Sequence, residues 1–303
     1  MNERAVLFGK SKSLVGIITE TPADAKINGK PAIILLNAGF IHRVGPNRLY
    51  VNLARCLANH GFLSVRFDHS GIGDSLPRTD STNYAESYNS EVQEVMDWLA
   101  KTYNVDRFCL IGLCSGARTS FSVACCDSRV VGAVFLNPRG LAGSIDWIMY
   151  VENRWQIREL LTKFFTPRGF WKTFTGKAPY LRAIKVVRNQ FKNLFKRHKD
   201  VASEGSEISQ SLNSLIERKF RLLWISSEWD ASQEYFKLIT DGDSKNLRSH
   251  ELISFSIITD TNHTFDTLQA QEQVLSIIEA WAVRGWSETP VAQTDFMRCK
   301  EGI

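Results

Sequence analysis

The apolar positions of this chain fall into short runs of β-branched and aliphatic residues, separated by stretches in which they recur at helical spacing. The runs are Ala32 to Asn37, Phe62 to Phe67, Phe108 to Leu113, Val131 to Leu136, Lys219 to Ile225 and Glu251 to Ile258. Each is nearly continuous, as expected for a strand of a parallel sheet that is buried on both faces. Between them, Asn47 to His60 carries Leu49, Val51, Leu53, Ala54, Leu57 and Ala58 at helical spacing and is stopped by Gly61; Tyr84 to Tyr103 carries Val92, Val95, Met96, Trp98 and Leu99. A further helix is expected from the small residues near Ser115 to Cys126, and a last one from Leu268 to Val283. Leu14 to Thr19 reads as an edge strand. Strand and helix alternate, so the expected fold is α/β with a mostly parallel twisted sheet flanked by helices.

The run Phe108 to Leu113 breaks into Gly112-Leu113-Cys114-Ser115-Gly116-Ala117 before the helical pattern begins. In a strand, turn, helix arrangement of the form G-x-nucleophile-x-G, the central residue stands on a strained turn. The residues two places away must be small, because side chains there would strike the strand or the helix. Gly112 and Gly116 fill those places and make Cys114 the nucleophile. Ser115 is the competing choice, but centring the turn on it puts the bulky Leu113 where glycine is needed. A chance G-x-C-x-G in a buried turn stays open until a base and an acid are found further along.

Both follow in chain order. Ser226-Ser-Glu-Trp-Asp230 leaves one late strand, and Asp260-Thr-Asn-His-Thr-Phe265 leaves the last. His263 is expected to take the thiol proton, and Asp230 to hold the tautomer of the ring and stabilise the imidazolium. Glu228, two residues nearer its strand, competes for the acid role. Asn37-Ala38-Gly39-Phe40 leaves the first buried run. The backbone N–H of Phe40, or of its neighbour Gly39, would form an oxyanion hole with that of Ser115; Gly39 also reads as a simple turn. His42 lies in the same loop and is a candidate pocket residue. Asp68 and Asp74, in a glycine-rich loop, read as loop braces rather than catalytic groups.

The rhythm changes after Pro138. From Gly140 to about Arg218 no buried-strand pattern appears, and aromatic and basic residues dominate. Between Leu160 and Lys199 there are eleven Lys or Arg and no Asp or Glu. Excluding acids so completely is more than solubility requires, which makes Lys185, Arg188 and Lys192 candidates for binding an acidic partner, against the plainer reading of a solvated face. The chain thus divides into a first core part (1–139), an inserted basic and aromatic helical lid (140–218) and a second core part (219–303). Its 303 residues, 44% hydrophobic and 23% charged, suit one large domain with such an insertion. The net charge of +5 is mildly basic. The six cysteines lack metal-ligand spacing and no phosphate-binding loop is present, so no metal, cofactor or nucleic-acid partner is expected. Neither a signal-like run nor an apolar stretch of about 18 residues occurs, so no transmembrane segment is expected. A reducing cytoplasm, in which a reactive thiol survives, is the expected location.

Asn37 to Phe40, Arg66 to Ser75, Gly112 to Gly116 and Asn262 to Phe265 together resemble the α/β-hydrolase superfamily over nearly the whole chain. Arg43-Val-Gly-Pro-Asn-Arg-Leu-Tyr50 and the cysteine at the elbow look like the bacterial hydrolases associated with exosortase systems. That cysteine is also similar to dienelactone hydrolases and to the shuttle enzymes that move acyl or aminoacyl groups between carrier proteins. The resemblance implies a Cys114-His263-Asp230 acyl-transfer enzyme. A cysteine forms a thioester, so exchange with a thioester donor is nearly thermoneutral; this favours a thioesterase or acyltransferase acting on an acyl thioester, with an acidic acyl or peptidyl carrier protein as the candidate partner of the basic lid. Two other readings stay open: a hydrolase of a small ester, lactone or amide, and a non-catalytic hydrolase-fold receptor or anionic-surface-binding protein.

Overall fold

An unbroken apolar strand is stable only where both of its faces are covered, and Ala32–Leu36 is buried along its whole length. In the computed structural model, which describes residues 1–9, 11–22, 29–141, 198–240, 247 and 249–286, this run is β3 of an eight-stranded sheet. The other strands are β1 (Asn2–Phe8), β2 (Leu14–Glu20), β4 (Ser64–Phe67), β5 (Phe108–Leu113), β6 (Val130–Leu136), β7 (Arg221–Ser227) and β8 (Ile253–Ile258). They lie in the order β1-β2-β4-β3-β5-β6-β7-β8. From β4 to β8 every pairing is parallel, while β1 and β2 pair antiparallel at one side.

The helices among the described residues are α1 (Leu49–Asn59), α2 (Tyr84–Tyr103), α3 (Ser115–Cys126), α4 (His198–Glu217), α5 (Ser232–Thr240) and α6 (Leu268–Trp286). They sort into two layers. Ile33 and Leu35 of β3 share a core with Leu53 and Leu57 of α1 and with Val274 and Ile278 of α6. Ala32, Ile34 and Leu36, which point the other way, share one with Met96 of α2, Phe121 of α3 and Tyr235 of α5. The period-2 alternation of the strand is what divides one apolar run between two cores. Ile208, Leu212 and Leu215 of α4 are buried in the second of these. The described end of the stretch 140–218 therefore serves the core of the sheet; residues 142–197, with Lys185, Arg188 and Lys192, lie outside the described residues.

The expected edge strand, Leu14 to Thr19, is not at the edge. As part of β2 it is paired on both sides, and the edge is β1. β1 escapes a periodicity reading because its polar residues are tied to neighbours. Glu3 bonds Arg55 at 2.6 Å and Arg66 at 3.2 Å, and Arg4 bonds Glu20 at 3.2 Å.

The glycine-rich loop after β4 is braced as expected, through Asp68. This carboxylate is fully buried. It accepts from the Arg43 N–H at 2.5 Å and from Asn37 Nδ2 at 3.2 Å, and it also binds the Arg43 guanidinium. Arg43 reaches on to Asp74 at 2.6 Å. Gly73 is obligatory here, since a Cβ would lie 2.2 Å from Asp68 Oδ2. Replacing one member of a buried ion pair strands the other, at a cost of about 3–5 kcal/mol. Asp68→Ala is accordingly expected to lower the urea midpoint by that order, and Asp68→Asn by less; an unchanged midpoint in the alanine variant would mean that the loop is held by something else.

Candidate active site

Gly112 is the last residue but one of β5, and a Cβ on it would lie 2.1 Å from the backbone carbon of Gly116. A Cβ on Gly116 would in turn lie 2.8 Å from the carbonyl oxygens of Leu36 and Asn37. The chain therefore folds back on itself at van der Waals contact, and the residue between pays for it in conformation: Cys114 has φ 57° and ψ −110°. A non-glycine residue in such a region costs of order 1–3 kcal/mol and persists only where its surroundings fix it. They do so here. The Cys114 N–H bonds Leu136 O at 2.9 Å on β6, and the preceding Leu113 N–H bonds the Tyr50 hydroxyl of α1 at 3.0 Å. The turn lifts the Cys114 side chain to the carboxyl edge of the sheet at the start of α3, where unpaired N–H groups and the helix dipole favour an anion.

Two other loops at that edge meet it. Asp230, fully buried after β7, accepts from His263 Nδ1 at 2.7 Å. His263 in turn favours the charged form of the Cys114 side chain. The charges reinforce one another. Burial works to raise the Asp230 carboxyl, but the bond from His263 and the charge of Arg139 overcome it and hold it down to about 2. Burial works against the imidazolium too, yet Asp230 and Cys114 raise His263 to about 9. Burial likewise opposes the Cys114 thiolate, but His263, Arg139 and the Ser115 N–H bring the thiol below its ordinary value. The lowered thiol and the raised imidazole both favour a thiolate–imidazolium pair. Glu228, the competing acid, is turned away and accepts from the Asp260 N–H at 3.0 Å.

Residues that sequence reasoning passed over hold these loops together. Asn137, at the end of β6 with φ 43°, donates to the His263 carbonyl at 2.8 Å. Its side-chain oxygen accepts from the Ser227 N–H at 2.7 Å and the Ser232 hydroxyl at 3.1 Å. One amide thus ties the acid loop to the histidine loop. Asn37 does the same on the other flank, donating to Ile41 O at 2.9 Å and accepting the His69 N–H at 2.8 Å. Arg139 donates to Asp230 Oδ2 at 2.5 Å. The signal available for these residues was position alone: each lies within three residues of the carboxyl end of a central strand.

At the expected oxyanion loop, the Gly39 N–H is taken by the Ser115 hydroxyl at 2.7 Å. Of the two backbone donors considered there, Phe40 is the one not so occupied, and its side chain is 92% exposed. The Ser115 side chain therefore clamps this loop to the start of α3. His42 is exposed and joins none of these bonds among the described residues.

Because the Cys114 thiol is lowered from its ordinary range by a partner that must carry a proton, its alkylation by iodoacetamide is expected to persist well below pH 8. In His263→Ala the onset should move up toward that of an ordinary thiol, near pH 8.5. The rate of Cys114 modification, followed by peptide mass spectrometry across pH, checks this; identical onsets in the two proteins would remove the ion pair.

Comparison with known proteins bears on the scaffold. A family model described as alpha/beta hydrolase fold matches residues 31–166. No curated protein sequence matches. Among solved structures, an alpha-beta serine hydrolase homologue from Coxiella burnetii is 16% identical with a TM-score of 0.53, covering 94% of this chain and 98% of its own. A serine hydrolase without lid from Xanthomonas campestris is 16% identical with a TM-score of 0.55, covering 96% and 97%. An esterase from Pyrococcus furiosus is 14% identical with a TM-score of 0.54, covering 94% and 90%. At such identities the likeness is one of fold. The chain has the α/β-hydrolase fold, with a mostly parallel eight-stranded sheet flanked by helices.

Proposed function

We propose that this protein is an acyl-transfer enzyme with Cys114 as nucleophile, His263 as base and acid, and Asp230 as the group that orients His263, acting on an acyl thioester. One observation carries the reading: Cys114 sits at φ 57° on a glycine-flanked turn, and its thiol is lowered by a histidine whose Nδ1 is bonded to a buried carboxylate.

The chemistry follows from the resting ion pair. The Cys114 thiolate attacks the acyl carbon, forming a C–S bond and an oxyanion held by the backbone N–H groups of Ser115 and Phe40. Collapse breaks the bond to the leaving group, which departs as a thiol with the proton of the His263 imidazolium. Neutral His263 then takes a proton from the incoming acceptor, water or a thiol, as that acceptor attacks the thioester. The second collapse breaks the Cys114 C–S bond and restores thiolate and imidazolium.

Cysteine rather than serine selects the donor. Exchange between two thioesters is close to thermoneutral, so the acyl group stays activated on the enzyme and can be passed on. With a plain ester, the alkoxide leaves less readily than the thiolate, and collapse backward competes. The exposed Phe40, Leu76 and Trp229, on the loops that follow β3, β4 and β7, support an apolar acyl group. The choice of carrier rests on sequence: the acid-free run with Lys185, Arg188 and Lys192 suits an acidic acyl or peptidyl carrier protein.

Mixing the protein with a short acyl thioester is expected to add one acyl mass to Cys114, and Cys114→Ala should show no adduct and no turnover. Ser115→Ala should still acylate, with kcat down about tenfold, the worth of roughly one hydrogen bond to the Gly39 loop. An adduct that survives in Cys114→Ala and vanishes in Ser115→Ala would reverse the assignment. His263→Ala should slow acylation by about a thousandfold or more and Asp230→Asn by less, with Glu228→Gln near wild type. Charge reversal at Lys185, Arg188 and Lys192 should raise KM for a carrier-bound thioester and leave a free thioester almost unaffected. Equal losses on both substrates would favour a hydrolase of small esters.

A further inference from the structure

Arg139 stands on the loop leaving β6, between the strand that ends at the Cys114 turn and the strand that leads to Asp230. Its Nη2 donates to Asp230 Oδ2 at 2.5 Å, and the same oxygen accepts from His263 Nδ1 at 2.7 Å. The other carboxylate oxygen accepts from the Ser232 N–H at 2.8 Å. Asp230 is fully buried, while Arg139 is partly exposed. The acid is therefore divided between a permanent cation and a titrating one.

We propose that Arg139 is a positioning residue that sets the proton balance of Cys114, His263 and Asp230, by sharing the carboxylate oxygen with His263 and standing as a fixed positive charge beside the thiolate. This rests on the reading of Cys114 as nucleophile and His263 as its base. The need for such a residue arises in the second half of the reaction. In the acyl-enzyme Cys114 carries no charge, and His263 must be neutral to accept the proton of the attacking acceptor. A buried carboxylate devoted to His263 alone would hold that proton on the ring. Arg139 draws on the same carboxylate and opposes a second positive charge nearby. It assists the thiolate for the same reason, so both protons of the Cys114–His263 pair leave at lower pH when the guanidinium is present.

The other groups near the pair do not offset this. Tyr50 of α1 is buried and its phenol is raised, hence neutral. Glu228 and Asp260, on the neighbouring loops, are joined to each other through the Asp260 N–H. Removal of Arg139 takes away a positive charge and leaves Asp230 wholly to His263, so the sign is fixed: Cys114 and His263 should each give up their proton at higher pH.

The test uses full-length Arg139→Gln, Arg139→Met and Arg139→Lys, with melting curves to establish folding. The pH dependence of Cys114 alkylation by iodoacetamide, mapped by peptide mass spectrometry, needs no substrate and reports the thiolate. The two neutral variants are expected to move its midpoint up by about one pH unit, the size of a fixed charge at close range in a partly screened site, and Arg139→Lys by clearly less. The acid limb of kcat for a short acyl thioester should move in the same direction. Midpoints that overlay the wild type, or equal rate losses in all three variants with no movement of the midpoint, would overturn the proposal, as would loss of the fold in all three, which would make Arg139 a structural residue. If Cys114 is not preferentially alkylated in the wild type, the nucleophile assignment fails instead, and the two failures are told apart.

Discussion

The contact between the backbones of Gly112 and Gly116 governs the rest of the site. With a Cβ on Gly112 only 2.1 Å from the next turn of chain, strand and helix approach as closely as backbone atoms allow, and the residue at the apex is forced to a positive φ. That geometry holds Cys114 between the two elements, its N–H bonding Leu136 O of β6 and its C=O accepting the Arg118 N–H of α3. A cysteine there is also set against the positive end of a twelve-residue helix. Substrate chemistry and chain geometry are thus joined at one dihedral angle.

A strained turn is useful only if the loops that meet it are equally fixed, and two asparagines perform this on either side of the elbow strand. Asn37 follows β3 and binds the loop of Ile41 and the loop after β4 at His69; Asn137 follows β6 and binds both the loop after β7 and the loop after β8. An amide suits this duty because it offers donors and an acceptor from one short rigid group, and carries no charge to disturb the neighbouring ion pair. Each closes bonds between segments that no local sequence signal connects, such as Asn137 with His263.

This explains what could be read in the sequence. The elbow was legible because its glycines are local and obligatory, and the strands from Ala32 onward because burial on both faces leaves continuous apolar runs. Asp230 and His263 were legible as candidates because they follow the last two strands in order, and the structure bonds these two to each other, with His263 lowering the Cys114 thiol. β1 was not legible, since its charges are satisfied by Arg55, Arg66 and Glu20 from other elements. Asn37, Asn137 and Arg139 were not legible as to role for a like reason. Polar residues in loops are common, and what distinguishes these three is the partner each finds across the fold. The side-chain part of Ser115 was missed in the same way, because its bond to Gly39 spans two separate loops.

The helix α5 has a consequence for the architecture as a whole. Its Tyr235 hydroxyl accepts the Leu141 N–H at 2.5 Å, where the first core part ends, and the carbonyl of its Ile239 accepts from Ser209 of α4 at 2.5 Å, where the chain has returned. One short helix therefore grips the chain on both sides of the excursion from 142 to 197. When the ends of an excursion are clamped to the same element, its closure entropy grows only with the logarithm of its length. Lengthening or shortening the chain between these two anchor points would then add little to the cost of closing it. The points between which residues 142–197 must close are thus set by α5, which begins two residues after Asp230.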